Sequence, residues 1–261
     1  METVWITGAS SGIGEACAYR WAEDGARLVI TAPTAEELEP VAAKCREKGA
    51  PDVAVLPYDL SHPDGIPALV QAAWEAFGGL TTVYLNAGIS QRTSVEDTSM
   101  DMLRTLMEID YFAPAGIAKE LLPRMAAQGG GHIGVTTSIA GRFGFRLRCG
   151  YCSAKAALYG FFETLQAESY DRGIRVTIVC PGRVRTNISL RALDKGGKPH
   201  GKMDPGQAGG ITVEKASQKI VKAIRQGRRE VLVGSKELLM VYVKRFFPGL
   251  CAKLARKLKP V

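Results

Sequence analysis

Strand and helix signals alternate along nearly the whole of this chain, and that alternation restricts it to a small set of folds. Apolar, β-rich runs occupy residues 3–6, 27–31, 53–57, 80–85, 132–137 and 175–180. Helical patterns lie between them at residues 13–21, 35–48, 66–77, 100–128 and 151–170. Pro114 and Pro123 fall inside the fourth of these and predict bends or breaks, because proline lacks the amide proton and crowds the preceding turn. A βαβα order predicts a parallel sheet with helices on both faces, since parallel neighbours need long crossovers. Several strands are continuous apolar runs, as burial on both faces requires. No repeat or linker interrupts the pattern, so residues 1–261 read as one domain.

In such sheets ligands bind beyond the carboxyl ends of the strands. Gly8, Asp59, Asn86, Ser138 and Pro181 each stand just past a strand signal, so five strands aim polar or turn residues at one edge. The first of these ends is Thr7-Gly8-Ala9-Ser10-Ser11-Gly12-Ile13-Gly14. A strand, a glycine turn and a helix start in succession offer free backbone N–H groups and the positive end of a helix dipole to a pyrophosphate. Gly8 permits the turn, Gly12 lets the backbone approach the phosphates, and Gly14 lets helix and strand pack closely. The spacing is G-x-x-x-G-x-G rather than G-x-G-x-x-G. Residues 187–210 break the alternation; a stretch this long, rich in Gly and Lys and placed after the Pro181 strand end, reads as a substrate lid.

Composition narrows the function classes. Hydrophobic residues are 46% of the chain and charged residues 23%, which excludes a disordered chain. No apolar run reaches the roughly 18 residues of a membrane span. No leader precedes the strand signal at Thr3, which predicts a cytoplasmic protein. The six cysteines are scattered, which argues against a disulfide framework. Cys149-Gly-Tyr-Cys152 has C-x-x-C spacing, but His62, His132 and His200 form no cluster by sequence; the pair reads as packing residues, and no metal site is expected. The formal charge of +8 is concentrated in residues 236–261, where seven basic residues face Glu237 alone. A nearly neutral body without a recognised module argues against nucleic-acid binding.

Tyr151 and Lys155 stand four apart on a predicted helix, hence on one face. A phenol titrates near 10, and a neighbouring ammonium favours the phenolate and lowers that value. The pair suits proton transfer at a carbinol or carbonyl; the competing reading is a surface tyrosine beside a solvated lysine.

Together with the glycine turn, Asn86-Ala87-Gly88, Ser138 and Pro181-Gly182, this pair makes residues 3–234 resemble the short-chain dehydrogenase/reductase family. Residues 91–107, 187–212 and the basic tail look most like the branch that contains dehydrogenase/reductase member 7 and the 11β-hydroxysteroid dehydrogenases. The resemblance implies a Rossmann-like, doubly wound parallel sheet of seven strands. It implies a small-molecule substrate, expected to be hydrophobic, and a homo-oligomer, dimer or tetramer. Tyr151 would be the general acid or base, and Ser138 would hydrogen-bond the substrate oxygen. Lys155 would hold the nicotinamide ribose and lower the Tyr151 pKa. Thr186 would contact the carboxamide, Asp59 and Leu60 would border the adenine, and Asn86 would support the ribose. Ser10, Ser11, Ile13, Ala87, Gly88, Gly182 and Val184 would complete the cofactor site. Where the family usually carries Asn, this chain has Asp110, placed in the same relay by its backbone carbonyl.

Cofactor choice rests on Thr31-Ala32-Pro33-Thr34. No acid stands there to take ribose hydroxyls, which favours NADP(H) over NAD(H), although the usual arginine and a basic residue near Ser11 are also missing from the local sequence. A non-catalytic nucleotide-binding scaffold is the rival function. In the tail, Leu250, Leu254 and Leu258 recur every four residues with Lys253, Arg256, Lys257 and Lys259 between them. That pattern predicts an amphipathic helix that packs on its own core, on a second subunit, or peripherally on a membrane.

Overall fold

β1 (Thr3–Thr7) enters the core as five consecutive buried residues, and the sheet is built outward from it. The computed structural model describes residues 1–257. The other strands are β2 (Arg27–Thr31), β3 (Val53–Val55), β4 (Thr82–Leu85), β5 (Gly131–Thr136), β6 (Ile174–Pro181) and β7 (Glu230–Val233). They form one sheet in the order β3-β2-β1-β4-β5-β6-β7, every pair parallel. The chain therefore winds one way from β1 to β3, then crosses back to β4 and winds the other way. That reversal puts the switch point between β1 and β4.

Side chains alternate across a strand, so each strand feeds two cores. Trp5, Val83 and Ile133 point to one face, where they meet α3 (Ile66–Glu75), α5 (Ala113–Ala127) and α6 (Cys149–Ser169). Val4, Ile6 and Tyr84 point to the other, under α1 (Gly12–Glu23), α2 (Ala35–Glu47) and α8 (Val213–Arg225); the short α7 (Pro205–Ala208) lies between β6 and α8. Helix starts follow local chemistry. Thr34 accepts from the Glu37 amide at 3.3 Å, and Thr212 accepts from that of Lys215 at 3.4 Å, each satisfying a free first-turn donor. Lys44 and Arg46 close α2, where they oppose the negative end of its dipole.

Three sequence expectations change. The alternation read by periodicity ends at β6, but α8 and β7 continue it and complete seven strands. Ala216, Ile220, Val221 and Ile224 give α8 a helical stripe, whereas β7 is a four-residue edge strand with little periodicity to read. The expected break near Pro114 is instead a π-helical turn, Glu108–Phe112, between α4 (Met100–Met107) and α5; Pro114 then sits in the first turn of α5, where its missing N–H costs nothing. Pro123 lies inside α5 without ending it. The tail forms two helices, α9 (Leu239–Phe246) and α10 (Pro248–Lys257), which divide at Pro248. The residue that anchors α10 on the core is Cys251, 2% exposed, rather than the leucine stripe: Leu250 is 48% exposed. Leu258 and Lys259, which belong to the expected stripe and basic face, lie outside the described residues. Among the described residues, no helix is long and apolar enough to cross a membrane.

Candidate active site

The turn after β1 is built on backbone that only glycine adopts readily. Gly8 and Gly12 have φ of +65° and +63°, in the left-handed region. Gly14 lies inside α1, and a Cβ there would stand 2.1 Å from the Gly8 carbonyl oxygen. α1 thus rests directly on the strand end. Ser11 is the N-cap of α1 in extended backbone, and its side chain makes no capping bond, so the first amides of the helix face the cleft unengaged.

Adjacent strand ends are stapled to this turn. Thr7 Oγ1 accepts from the amides of Asn86 at 3.1 Å and Ala87 at 3.2 Å. Asn86 Nδ2 donates to the Gly8 carbonyl at 3.2 Å, and Asn86 Oδ1 accepts from Thr136 Oγ1 at 3.2 Å. One side chain therefore fixes the ends of β1, β4 and β5 together.

The strand ends open into a cleft of about 320 Å³. Gly8, Ser10, Ser11, Gly12, Ile13, Asp59, Leu60, Asn86, Ala87, Gly88, Ser138, Tyr151, Lys155, Pro181, Gly182, Val184 and Thr186 all line it. Of the candidates named from sequence, only Gly14 and Asp110 do not; they stand behind the wall. Asn187, Ile188, Arg191 and Gln207 of the long segment after β6 also line the cleft, and Gln207 Nε2 donates to Thr186 Oγ1 at 3.1 Å.

Ser138, Tyr151 and Lys155 share one wall. Ser138 follows β5, and its Oγ accepts from the Ala140 amide at 3.1 Å, which fixes the rotamer. Its hydroxyl donates to the Pro181 carbonyl at 3.5 Å, and it stands close enough to the Tyr151 phenol to favour the phenolate. Lys155 lies one turn on in α6; its Nζ donates to the Thr136 carbonyl at 3.1 Å and stands 3.4 Å from Asp110 Oδ2. Asp110 is fully buried, and its Oδ1 accepts from the Ile89 amide at 2.7 Å.

This arrangement corrects one expectation. Lys155 was to lower the Tyr151 pKa, yet the phenol is pushed up to about 12. Burial is the main cause and the Asp110 carboxylate the next; Ser138 and Arg148 act against them. The Lys155 charge is met by Asp110 rather than spent on the phenol. Asp110 itself is held above its ordinary value by burial, with Lys155 and the Ile89 amide opposing.

Several residues that build the cleft escape sequence reasoning. Gln91, fully buried, accepts from the Tyr151 amide through Oε1 at 3.1 Å and so positions the start of α6. Arg92 pairs with Asp204 at 2.5 Å across 112 residues, with side chains only 3% and 6% exposed. Arg148 reaches the same Asp204 oxygen at 2.7 Å. Segment 187–210, expected as a loop over the cleft, is thus tied to the body through a buried ion pair. Arg191 Nη1 lies 3.5 Å from Ser11 Oγ. The basic residue missing beside Ser11 in the local sequence is supplied from 180 positions away.

The short chain dehydrogenase family pattern matches residues 2–195. Dehydrogenase/reductase SDR family member 7B of Bos taurus is 35% identical over 257 residues, which cover 96% of this chain and 79% of that protein. A short-chain dehydrogenase/reductase from Burkholderia phymatum, solved in complex with NAD, superposes with a TM-score of 0.84 at 24% identity, covering 95% of this chain and 94% of the other. An alcohol dehydrogenase from the archaeon Thermococcus sibiricus, complexed with 5-hydroxy-NADP, gives 0.76 at 27% identity, covering 90% and 97%. With a seven-stranded parallel sheet and most of its length matched, the chain belongs to the short-chain dehydrogenase/reductase family of oxidoreductases acting on CH–OH groups.

Proposed function

We propose that this chain interconverts a carbonyl and an alcohol by hydride transfer, with Tyr151 giving a proton in reduction and taking it in oxidation. The observation that carries this reading is the placement of a buried phenol, beside Ser138 and one helical turn from Lys155, in the cleft that holds the glycine turn. The free amides at the start of α1 and the glycine cradle fit a dinucleotide pyrophosphate. When bound, a nicotinamide cofactor supplies or takes up the hydride. Ser138 steadies the charge that develops on the substrate oxygen. Lys155 holds the ribose, Thr186 contacts the carboxamide, and Asp59 and Leu60 border the adenine. Asn86 holds the strand ends that seat the ribose, and segment 187–210 closes over the substrate as a lid. Following cofactor oxidation with a panel of ketones and aldehydes tests the reading; no turnover with any of them sinks it.

The neighbours' NAD and 5-hydroxy-NADP complexes support a nicotinamide cofactor. NADP(H) is preferred in this reading, because residues 31–34 at the β2 end carry no acid and Arg191 brings charge beside Ser11, against Glu37 as the one acid of α2 that lines the cleft. NADP(H) should bind more tightly than NAD(H) in a fluorescence titration, and Arg191→Ala should narrow the gap by about tenfold, the worth of one charge-assisted hydrogen bond. A preference for NAD(H), or no change in the variant, counts against it.

Asp110→Asn should lower the Tyr151 pKa, since the carboxylate is the second cause of its elevation. Reduction needs the protonated phenol and is lost as pH rises through that pKa, so the variant should lose reductive activity at lower pH. Oxidation needs the phenolate, so its alkaline rise should move the same way. An unmoved pH profile would show that Asp110 does not act on the phenol.

Peripheral membrane contact belongs to the same reading. Leu238, Met240, Val241 and Val243 pack on the core, but Leu239, Tyr242, Phe246 and Phe247 are 54–65% exposed beside Lys244 and Arg245. An apolar face bordered by cations suits an anionic interface. The protein should pellet with anionic vesicles at low salt, and a Phe246→Ser, Phe247→Ser double variant should not. Assembly as a dimer or tetramer, supported by family membership, is checked by sedimentation.

A further inference from the structure

Two guanidinium groups and one carboxylate meet at the end of the cleft beside Tyr151. Asp204 Oδ2 accepts from Arg92 Nη2 at 2.5 Å and from Arg148 Nη2 at 2.7 Å. Arg92 uses four of its five N–H groups: besides Nη2, its Nε faces Asp204 Oδ1 at 3.4 Å, and its Nη1 donates to Ser90 Oγ at 3.1 Å and the Gln91 carbonyl at 2.6 Å. Arg148 gives one N–H to Asp204, and its guanidinium makes no other hydrogen bond among the described residues. Its side chain is 23% exposed, and it lines the cleft. Two cations share one anion, so a single positive charge is left uncompensated in a mostly buried place. The start of α6, which Arg148 caps, adds to it. The acidic residues that line the cleft, Glu37 and Asp59, stand by the β2 and β3 ends and cannot offset this charge.

The backbone is shaped to put Arg148 there. Leu147 has φ of +61°, the one positive value at a non-glycine among the described residues. Its carbonyl accepts from the Thr93 amide at 3.2 Å, which locks the turn against the strip that carries Gln91 and Arg92. Strained backbone of this kind persists where its surroundings fix it, and it gathers at ligand clamps.

We propose that Arg148 is a substrate-recognition residue that binds the carboxylate of an oxo-acid, or of the matching hydroxy-acid, whose reacting carbon lies at Tyr151. The proposal rests on the oxidoreductase reading above. One uncompensated charge matches a monoanion better than a phosphate dianion. A planar carboxylate also matches the guanidinium fork, whose remaining N–H groups are free. Asp204 holds the fork in place and competes for it, which sets the affinity for the substrate acid.

Calorimetry with ortho-, meta- and para-acetylbenzoate and their methyl esters, on protein saturated with oxidised cofactor, reads recognition without turnover. At least one acid should bind about tenfold more tightly than its ester. Arg148→Gln should lower that acid-to-ester ratio about tenfold, and Arg148→Lys, which keeps charge but not the fork, should restore part of it. Asp204→Asn removes the competing carboxylate and should raise the ratio, a change of opposite sign that loss of folding cannot imitate. Acids that bind no better than esters, or a ratio unmoved by Arg148→Gln, overturn the proposal. Reduction assays on the same six ketones separate the two readings. Esters turned over with no advantage for any acid retire the carboxylate site and leave the oxidoreductase. An acid bound through Arg148 but never reduced supports the site and counts against the oxidoreductase reading for these ketones.

Discussion

Tyr151→Phe is expected to lower turnover by about 10²–10⁴-fold, the usual worth of an aligned proton-transfer group, while cofactor affinity stays close to that of the parent. The substitution removes one oxygen from a side chain that is 8% exposed, so packing in α6 is kept. Only the proton donor is lost. The pKa of about 12 sharpens the expectation. At neutral pH the phenol is protonated, which suits carbonyl reduction directly. Oxidation instead draws on a small phenolate fraction that grows with pH, so the forward and reverse rates of the parent should diverge with pH. Steady-state cofactor oxidation, with a fluorescence titration of cofactor binding, checks both halves. A Phe variant that keeps more than about a tenth of the parent rate would remove Tyr151 from the chemistry.

Lys155→Met should cost both activity and about 3–5 kcal/mol of stability at neutral pH, because it strands the fully buried Asp110 carboxylate. The pH dependence distinguishes this cause from simple cavity effects. Asp110 is already held above its ordinary value, and without the ammonium it is held higher still. The folded protein then keeps a proton that the unfolded chain releases near pH 3.9, so the stability of the variant falls as pH rises between those two values and levels off above the upper one. Denaturant titrations at pH 5 and pH 8 should therefore show a larger deficit at pH 8. Adding Asp110→Asn should return most of the stability and none of the turnover. A deficit equal at both pH values, or one the second substitution leaves in place, would mean that the two side chains are not coupled.

How much of this was readable beforehand depends on the range of the interaction. The parallel sheet was legible because strands buried on both faces are continuous apolar runs, and β1, β4 and β6 carry that signal in a few residues each. The glycine turn and the Tyr151–Lys155 pair were legible because the chemistry lies within one local element. Arg92, Asp204 and Arg191 were not, because each acquires its meaning from a partner over a hundred residues away. The expected lowering of the Tyr151 pKa failed for a related reason. A four-residue spacing announces the ammonium, but nothing local announces that Asp110 and burial outweigh it. The π-helical turn at Glu108–Phe112 was equally silent: a proline two residues beyond it drew attention to the wrong position.

The Asp204 clasp also bears on how the protein is made. β1 lies near the centre of the sheet but pairs with β4 only after β2 and β3 have been laid down on its other side, so the first half-sheet can form while its inner edge is still open. Asp204 meets Arg92 only once the chain has passed β6, and the separation of the partners makes this one of the slower closures, because the entropy of joining distant segments is lost before the contact rewards it. Ribosomal synthesis thus delivers the β1–β3 half-sheet with its glycine turn first, and the cleft that Tyr151, Lys155 and Thr186 complete comes last.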